Sequence, residues 1–414
     1  MIAAFFRAIL KSASMQTYAF ILGRIPELSI EELLVVLTPL GHIVEVTPHF
    51  LIFEGMLDPT ALLPRLGGTI KIAEVAATME DFRGLTKEKW LHILRSELSG
   101  ASGRFEFGAS VYGSQQAVRH MQGVGLSLKK HLKTLPLSAR FLWNRDAVLS
   151  SVVVQKNHLL KRELLLLGGK RWYCAVTSVV QDFDSYGARD YGRPSRNMVR
   201  GMLPPKLAQI MLNIGEVKRT DRLLDPFCGG GTIIQEALLM GLTDVWGTDK
   251  DPKAIDEATR NVEWLVERFG TKRPTIAAHD VQNISQAFPA RFFDLVVTEP
   301  FLGPARLLKR GSLTRRDLDA VAAETTVLYQ QLFRSLAPVV RTGGRLVIVS
   351  PIYRVLGQER TPGPFDSLER IGWKRRDPQV LRYLASPVLS SRGQLMYDRK
   401  DQVVAREVSV WFRV

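Results

Sequence analysis

The chain contains 414 residues, of which 46% are hydrophobic and 23% are charged. This length is too great for one ordinary core and predicts two or three domains, and the composition is typical of soluble globular proteins with buried sheets. The 56 Lys and Arg residues outnumber the 41 Asp and Glu residues and leave a net charge of +15. That excess favours a polyanionic partner, with nucleic acid first, over a charge that serves solubility alone.

Cysteine and hydropathy patterns exclude several classes. The only cysteines, Cys174 and Cys228, are far apart in the sequence, which excludes a disulfide framework or a zinc site and predicts a reducing, cytoplasmic setting. The seven histidines lack metal-ligand spacing, so no metal is expected. No run approaches 18 apolar residues, so no membrane span is expected. Residues 1–14 form a short apolar run broken by Arg7, and we expect a dispensable extension with the true start at Met1 or Met15.

Residues 15–80 are predicted to form a small α+β module. Ser29-Ile-Glu-Glu32 has the form of a capping box and predicts a helix that starts there and runs through Leu37. The other predicted elements of this module are strands at Tyr18–Leu22, Ile43–Val46 and Phe50–Phe53 and a helix at Asp58–Arg65.

Residues 81–180 are predicted to form a second α+β unit. Its expected helices are Trp90–Leu98 and Ser114–Leu132, and its expected strands are Arg104–Val111, Ala139–Trp143, Val148–Gln155, Glu163–Leu167 and Trp172–Thr177. Basic residues gather along this unit, with Trp143 and Trp172 between them. This pattern indicates either an RNA-facing surface or a solvated helix face. The basic residues are Arg119, His120, Lys129, Lys130, His131, Lys133, Arg140, Lys156, Lys161, Arg162, Lys170 and Arg171.

Residues 181–205 are predicted to connect this half to a C-terminal domain. The stretch Gln181–Pro194 is rich in polar residues and glycine and is expected to be a loop. Pro204 and Pro205 suit the first turn of a following helix, where a missing N–H does no harm. The segment is either the floor of a ligand pocket or a plain linker.

Residues 206–414 show the alternation of strands and helices that predicts a mostly parallel, doubly wound sheet, so the expected fold class is α/β with α+β modules before it. The predicted strands are Arg222–Leu224, Val245–Thr248, Thr275–Ala278, Phe293–Thr298, Leu346–Ser350, Gln379–Leu384, Gln394–Tyr397 and Val408–Arg413. The predicted helices are Thr232–Met240, Pro252–Phe269 and Leu318–Leu336.

Three carboxylates follow three consecutive strands of this domain, and a glycine turn follows the first of them. Gly229, Gly230 and Gly231 let the backbone approach a ligand closely. Asp225 could accept from the amino group of a methionine-type ligand, and an anion at that place disfavours NAD. Asp249 could accept from ribose hydroxyls, and Asp280 from an adenine amine, with Val281 packing on the ring. Each could cap a helix, but together they predict a pocket for S-adenosylmethionine.

Thr298-Glu-Pro-Phe301 follows the fourth strand, at the edge where an open α/β sheet binds its ligands. Methylation of an aromatic amine needs a group that accepts its N–H, and a carboxylate with a nearby carbonyl meets that need. Glu299, the carbonyl of Pro300 and a stacking ring from Phe301 are therefore the predicted catalytic groups. The alternative is a strand end whose Glu is structural or merely exposed. The predicted cofactor-binding residues are Asp225, Pro226, Gly229, Gly231, Asp249, Lys250, Asp280, Val281 and Glu299.

The motifs Arg189-Asp-Tyr-Gly-Arg-Pro194, Gly201-Met-Leu-Pro-Pro-Lys-Leu-Ala208 and Asp225-Pro-Phe-Cys-Gly-Gly-Gly231 resemble those of the tRNA guanine-10 N2-methyltransferases of archaea and eukaryotes. The resemblance runs from about Tyr18 to Val414. It implies a ferredoxin-like domain at residues 15–80, a THUMP-like RNA-binding domain at 81–180 that engages the tRNA acceptor end, and a Rossmann-type methyltransferase domain at 206–414. It also implies that the three aspartates contact the cofactor.

The family's catalytic motif reads Asp-Pro-Pro-Tyr, and this chain departs from it at Glu299, Phe301 and Leu302. The carboxylate and the first carbonyl are kept, and stacking has to come from Phe301 or from elsewhere. The sequence thus predicts methylation of the N2 amine of a tRNA guanosine. The alternatives are a tRNA-binding protein that keeps the pocket with altered or lost transfer, and an amino-methyltransferase for another base in DNA or RNA. An accessory subunit is possible but is not indicated by the sequence.

Overall fold

The computed structural model describes residues 15–196, 202–303, 314–355, 358–363, 365–398 and 404–414. The chain divides into two compact units, with the boundary in the sequence between Asp184 and Ser185. The predicted extension at 1–14 and residues 197–201 of the predicted connecting segment lie outside the described residues.

The described part of the first unit forms a sheet of eight strands in the order β2-β3-β1-β4-β8-β7-β5-β6. The strands are β1 (Gln16–Leu22), β2 (Gly41–Val46), β3 (Phe50–Gly55), β4 (Thr69–Met79), β5 (Gly103–Tyr112), β6 (Leu137–Leu142), β7 (Glu163–Gly168) and β8 (Trp172–Val180). The long strand β4 was not predicted. It pairs antiparallel with β1 on one side and with β8 on the other, so the two predicted N-terminal modules share one sheet. Their division at residue 80 stays a prediction.

Six helices of this unit lie in the described residues: α1 (Pro26–Leu37), α2 (Pro59–Leu62), α3 (Lys87–Ile93), α4 (Arg95–Leu98), α5 (Gln115–Leu132) and α6 (Ser151–Lys156). The predicted start of α1 at Ser29 is wrong, because Pro26 begins the helix and Ser29 donates its hydroxyl to the Ile25 carbonyl within it. Glu32 does not turn back to a cap. Its carboxylate accepts instead from the backbone N–H groups of Gly67 and Gly68.

The predicted strand Val148–Gln155 is also wrong, since Ser151–Lys156 forms a helix. The consecutive residues Val152, Val153 and Val154 favour a strand by propensity. Ser150 overrides them as the N-cap, because its side chain accepts from the backbone N–H of Val153. Leu149 and Val154 then pack into a small apolar cluster.

A polar network lies inside the first unit. Lys71 and Glu163 have fully buried side chains and form an ion pair, with 2.6 Å from Lys71 Nζ to Glu163 Oε1. Lys71 also donates to the carbonyl of Leu149, and the hydroxyls of Ser110 and Thr177 donate to the Glu163 carboxylate. Burial lowers the pKa of Lys71, and the charge of Glu163 opposes that shift. The network joins β4, β5, β7 and β8 across the sheet.

The described residues of the second unit form a sheet with the strand order β11-β10-β9-β12-β13-β17-β15, with β14 beside β13 and β16 beside β17. Strands β9 to β13 are parallel and the later ones antiparallel. The predicted α/β class is confirmed, although the sheet is parallel only in the part formed by β9 to β13. The strands are β9 (Arg222–Asp225), β10 (Asp244–Asp249), β11 (Thr275–Ala278), β12 (Phe293–Thr298), β13 (Val340–Val355), β14 (Gln358–Arg360), β15 (Trp373–Arg376), β16 (Leu395–Tyr397) and β17 (Val404–Arg413).

The remaining described helices are α7 (Phe183–Asp190), α8 (Pro205–Ile214), α9 (Thr232–Leu239), α10 (Pro252–Phe269), α11 (Ile284–Ala287) and α12 (Arg315–Leu336). Pro205 begins α8 as predicted. The expected loop over 181–194 is wrong for Phe183–Asp190, which is helical. The predicted strand Gln379–Leu384 is wrong as well, because Gln379–Arg382 forms a 3-10 helix after Pro378.

Among the described helices, none combines the length and the apolar character that a membrane-spanning segment needs. Cys174 and Cys228 are both free and buried. Within the same residues, no group of three or more His, Cys, Asp or Glu side chains is placed to hold a metal ion.

Candidate active site

The candidate site lies at one edge of the second sheet. The strand order runs outward from β9 to β10 and β11 on one side and from β12 to β13 on the other, so it reverses between β9 and β12. Ligands of open α/β sheets bind at such a reversal, beyond the carboxyl ends of the strands. Asp225, Asp249 and Thr298 end three of these strands, and Asp280 follows the fourth by two residues.

The glycine turn after β9 leaves room for a ligand. Gly229 and Gly231 have φ angles of +50° and +80°, which side-chain-bearing residues rarely adopt. A Cβ atom added at Gly229 would find its nearest neighbour, the Phe227 carbonyl oxygen, 4.0 Å away. The space beside Gly229 is therefore open, as close backbone approach to a cofactor requires.

Asp249 ties the glycine turn to the end of β10. Its carboxylate accepts from the backbone N–H of Gly229 at 3.1 Å and from that of Asp251 at 3.0 Å. These bonds fix the carboxylate while its side chain stays partly exposed. The neighbouring Lys250 is exposed.

Asp225 is almost completely buried, with 1% of its surface exposed. Its Oδ1 accepts from the Thr298 hydroxyl at 2.8 Å and from the Phe227 backbone N–H at 3.2 Å. The pKa of Asp225 is raised to about 7, chiefly by burial and also by the charges of Asp249 and Glu299, although the two hydrogen bonds act to lower it. The bond from Thr298 connects the cofactor end of the site with the predicted catalytic motif. Pro226 is buried beside it.

Asp280 and Val281 begin a 3-10 turn after β11. The Asp280 carboxylate caps this turn by accepting from the backbone N–H of Gln282 at 3.0 Å. Val281 is 5% exposed and packs in the core cluster that contains Leu224 and Ile284. Contacts of these two residues with an adenine ring stay predictions.

The segment before the glycine turn packs against it. The Asn261 amide donates to the Gly230 carbonyl at 2.9 Å and to the Ser195 carbonyl at 3.0 Å, and its oxygen accepts from the Ser195 backbone N–H. Arg193 donates to the Thr232 hydroxyl at the start of α9. These bonds fix Arg193 and Ser195 beside the glycine turn, and the role of the segment as a pocket floor stays a prediction.

A buried ion pair secures the same segment to α9. Arg189 and Glu236 are 2.7 Å apart, with side chains 6% and 1% exposed. Sequence reasoning named neither Glu236 nor Asn261 as important, because both lie on helices without a recognisable motif. Only their long-range partners identify them.

The predicted catalytic motif lies at the end of β12. Glu299 is partly buried, Pro300 is buried and Phe301 is 48% exposed, so its ring is available for stacking. Glu299 Oε1 accepts from Arg406 Nε at 2.6 Å. The sequence did not predict this partner, which stands 107 positions later on β17.

Comparison with known proteins shows what the chain around this edge of the sheet is similar to. Residues 193–358 match the family model described as "RMKL-like, methyltransferase domain". The matched segment contains the glycine turn, the three aspartates and the Thr298–Phe301 motif. The family match agrees with the predicted cofactor, S-adenosylmethionine.

Two archaeal proteins named tRNA (guanine(10)-N2)-dimethyltransferase are similar to part of the chain. The Pyrococcus abyssi protein is 32% identical over 145 residues, which cover 34% of this chain and 40% of that protein. The Methanothermobacter thermautotrophicus protein is 28% identical over 166 residues, which cover 40% of this chain and 43% of that protein. The chain therefore spans less than half the length of these relatives.

The crystal structure of TrmN from Thermus thermophilus is similar in fold, with a TM-score of 0.53 and 17% sequence identity. The match covers 97% of this chain and 100% of that one. At this identity the likeness bears on the fold alone.

The residues of the methyltransferase domain fit S-adenosylmethionine. Asp225, Asp249 and Glu299 lie close enough for the last two to raise the pKa of the first. Three neighbouring carboxylates favour a positively charged ligand, because a cation offsets their mutual repulsion. S-adenosylmethionine carries a positive sulfur, and the open space beside Gly229 leaves room for it.

The raised pKa of Asp225 predicts that cofactor binding depends on pH. A positively charged cofactor favours the ionised carboxylate, so the dissociation constant should fall about tenfold between about pH 6 and pH 8. In the protein without cofactor, Asp225 binds its proton more tightly in the folded than in the unfolded state. The free energy of unfolding should therefore fall as pH rises from about 4 to 7. Isothermal titration calorimetry at several pH values measures the first effect and urea denaturation the second.

Asp225→Asn is the control, because the amide oxygen can still accept from Thr298 and Phe227. Protonation of the cofactor itself affects the wild type and Asp225→Asn equally. The difference between their pH dependences of cofactor binding therefore measures the contribution of Asp225. An equal pH dependence in both would contradict the assignment of the raised pKa to this residue.

Proposed function

We propose that this protein is an S-adenosylmethionine-dependent methyltransferase that modifies the exocyclic N2 amine of a guanosine in tRNA, at position 10 by family resemblance. The observation that carries the proposal is the connection of two halves of one site. Thr298 bonds to Asp225 in the cofactor pocket and is followed at once by Glu299, Pro300 and the exposed ring of Phe301. The names of the two archaeal relatives support the substrate.

The chemistry assigns one role to each group. S-adenosylmethionine would supply a methyl group on a positively charged sulfur. Transfer would form a nitrogen–carbon bond, break the carbon–sulfur bond with its electron pair left on sulfur, and release one proton from nitrogen to the Glu299 carboxylate. Glu299 and the Pro300 carbonyl accept the N–H bonds of the amine, which frees its lone pair from the ring. Phe301 stacks on the base after it leaves its own stack, at a cost of a few kcal/mol.

The first unit is proposed to hold the tRNA as a THUMP-like domain. Arg119, Lys130 and Lys133 are exposed on or next to α5. A shallow cavity of about 500 Å³ lies beside Arg119, with Arg83, Lys87 and His120 also among its lining residues. Such groups suit phosphate contacts. Trp143 and Trp172 instead pack partly buried against the core, so they contribute less to a stacking surface than the sequence indicated. With both cysteines free, the cytoplasm stays the expected location.

The test is transfer of a labelled methyl group from S-adenosylmethionine to unmodified tRNA, followed by mass mapping of the product nucleoside. We expect N2-methylated guanosine. Cofactor binding without transfer to tRNA would favour the second candidate, a tRNA-binding protein that keeps the pocket. That candidate draws on one observation, the ion pair that already occupies Glu299. A label on another base, or on DNA, would overturn the proposed substrate.

A further inference from the structure

The carboxylate at the catalytic position is held by an arginine from the far end of the chain. Arg406 lies on β17, opposite Pro351 of β13. The side chains of Arg406 and Glu299 are 7% and 15% exposed, and their Nε and Oε1 atoms are 2.6 Å apart. Charge-assisted bonds of this length with little exposure to water fix both partners. The guanidinium also lies 5.9 Å from the ring of Tyr397, so Arg406 is itself packed in place.

The arginine engages one carboxylate oxygen of Glu299. Oε1 accepts from Arg406, and no described residue donates to Oε2. Glu407, the next residue on β17, forms a separate ion pair with Arg392 at 2.6 Å. Successive side chains of a strand point to opposite faces, which separates these two ion pairs.

The length of residue 299 matters for this contact. An aspartate would draw the carboxylate back by one carbon–carbon bond, about 1.5 Å. The present 2.6 Å contact would then be lost unless the strands moved. Glu299 and Arg406 therefore form a matched pair, in which the longer side chain reaches the arginine.

We propose that Arg406 is a positioning residue for methyl transfer. It holds Oε1 of Glu299 so that Oε2 faces the amine of the substrate. Because an aspartate would be too short to reach Arg406, activity requires glutamate at position 299. This inference rests on the proposed function and deepens it, since it assigns a residue that the sequence motif does not contain.

The experiment measures kcat, KM for tRNA and the dissociation constant of S-adenosylmethionine in four full-length variants. Arg406→Gln is expected to lower kcat about 100-fold, the cost of a misplacement of about 1 Å, with the cofactor constant changed less than about threefold. Arg406→Lys, which keeps the charge, should recover part of that loss. Glu299→Asp should lower kcat at least about tenfold. Added to Arg406→Gln, it should cause little further loss, because the two residues act together.

Arg345→Gln is the matched control. Arg345 forms a buried ion pair with Asp221 at 2.7 Å in the same sheet, far from the carboxyl ends of the strands. It should lower the melting temperature and leave kcat within about twofold.

Full activity of Glu299→Asp, or of Arg406→Gln, would overturn the inference while the proposed function stands. An equal loss of kcat in Arg345→Gln would also overturn it, since the effect would then be one of stability. If Arg406→Gln does not fold, the kcat values of Arg406→Lys and Glu299→Asp test the inference in its place. A wild-type protein without transfer would overturn the proposed function and this inference with it.

Discussion

Glu299→Gln is expected to lower the rate of methyl transfer to tRNA by about 100-fold or more, the usual contribution of a positioned proton acceptor. Glutamine has nearly the same shape, and its oxygen can still accept from Arg406. Its second polar atom, however, is a donor, which repels the N–H of the amine instead of accepting it. The loss should appear in kcat, because the carboxylate acts on the amine as its lone pair attacks. Single-turnover transfer of a labelled methyl group measures it.

Asp294→Asn provides the matched control for this substitution. Asp294 is an acidic residue of the same strand, β12, and it pairs with Arg341 near the opposite end. The same chemical change there should leave kcat within about twofold. Unchanged turnover in Glu299→Gln would remove Glu299 from the mechanism, and a comparable loss in both variants would point to damage of the strand.

Lys71→Met is expected to lower the free energy of unfolding of the first unit by about 3–5 kcal/mol. The reason is the charge that it leaves behind. Glu163 is fully buried, and without Lys71 its carboxylate keeps, among the residues that the structure describes, the hydroxyls of Ser110 and Thr177 as donors. Adding Glu163→Gln should recover part of the loss, because an uncharged amide costs less to bury. Native-state hydrogen exchange of peptides from β4 and β7 reports this unit separately.

Arg83→Met is the control for burial. Arg83 also pairs with a carboxylate, that of Asp81, but the two side chains are 73% and 50% exposed. An exposed pair is worth about 0–1 kcal/mol, so the control should change the unfolding free energy by no more than that. Equal effects of Lys71→Met and Arg83→Met would contradict the argument from burial.

Local signals were enough to place the glycine turn and the aspartates at the carboxyl ends of neighbouring strands. The helix Pro252–Phe269 and the strands Thr275–Ala278 and Phe293–Thr298 were predicted with their observed limits. These elements carry clear starts, stops and hydrophobic periods. The glycine turn and the aspartates could be identified because strand, turn and helix follow each other without interruption in the sequence.

The groups that complete the site could not be predicted, because they come from distant parts of the chain. Arg406 reaches Glu299 across 107 positions, and Asn261 reaches Ser195 across 66. The wrong predictions have the same cause. Tertiary contacts override weak local preferences at Ser151–Lys156 and Phe183–Asp190, where the residues fold as helices. The motif predicted a catalytic role for Glu299, but its ion pair with Arg406 could be identified only from the structure.

The pairing of β4 with β8 limits how the first half of the chain can be divided. Each strand covers the hydrogen-bonding edge of the other along Lys71–Met79 and Trp172–Val180. A fragment that ends at residue 80 would expose the edge of the 11-residue strand β4, with its N–H and C=O groups unpaired. Such edges attract other strands and promote aggregation. The two modules of this half are therefore expected to be expressed, inherited and exchanged between proteins together.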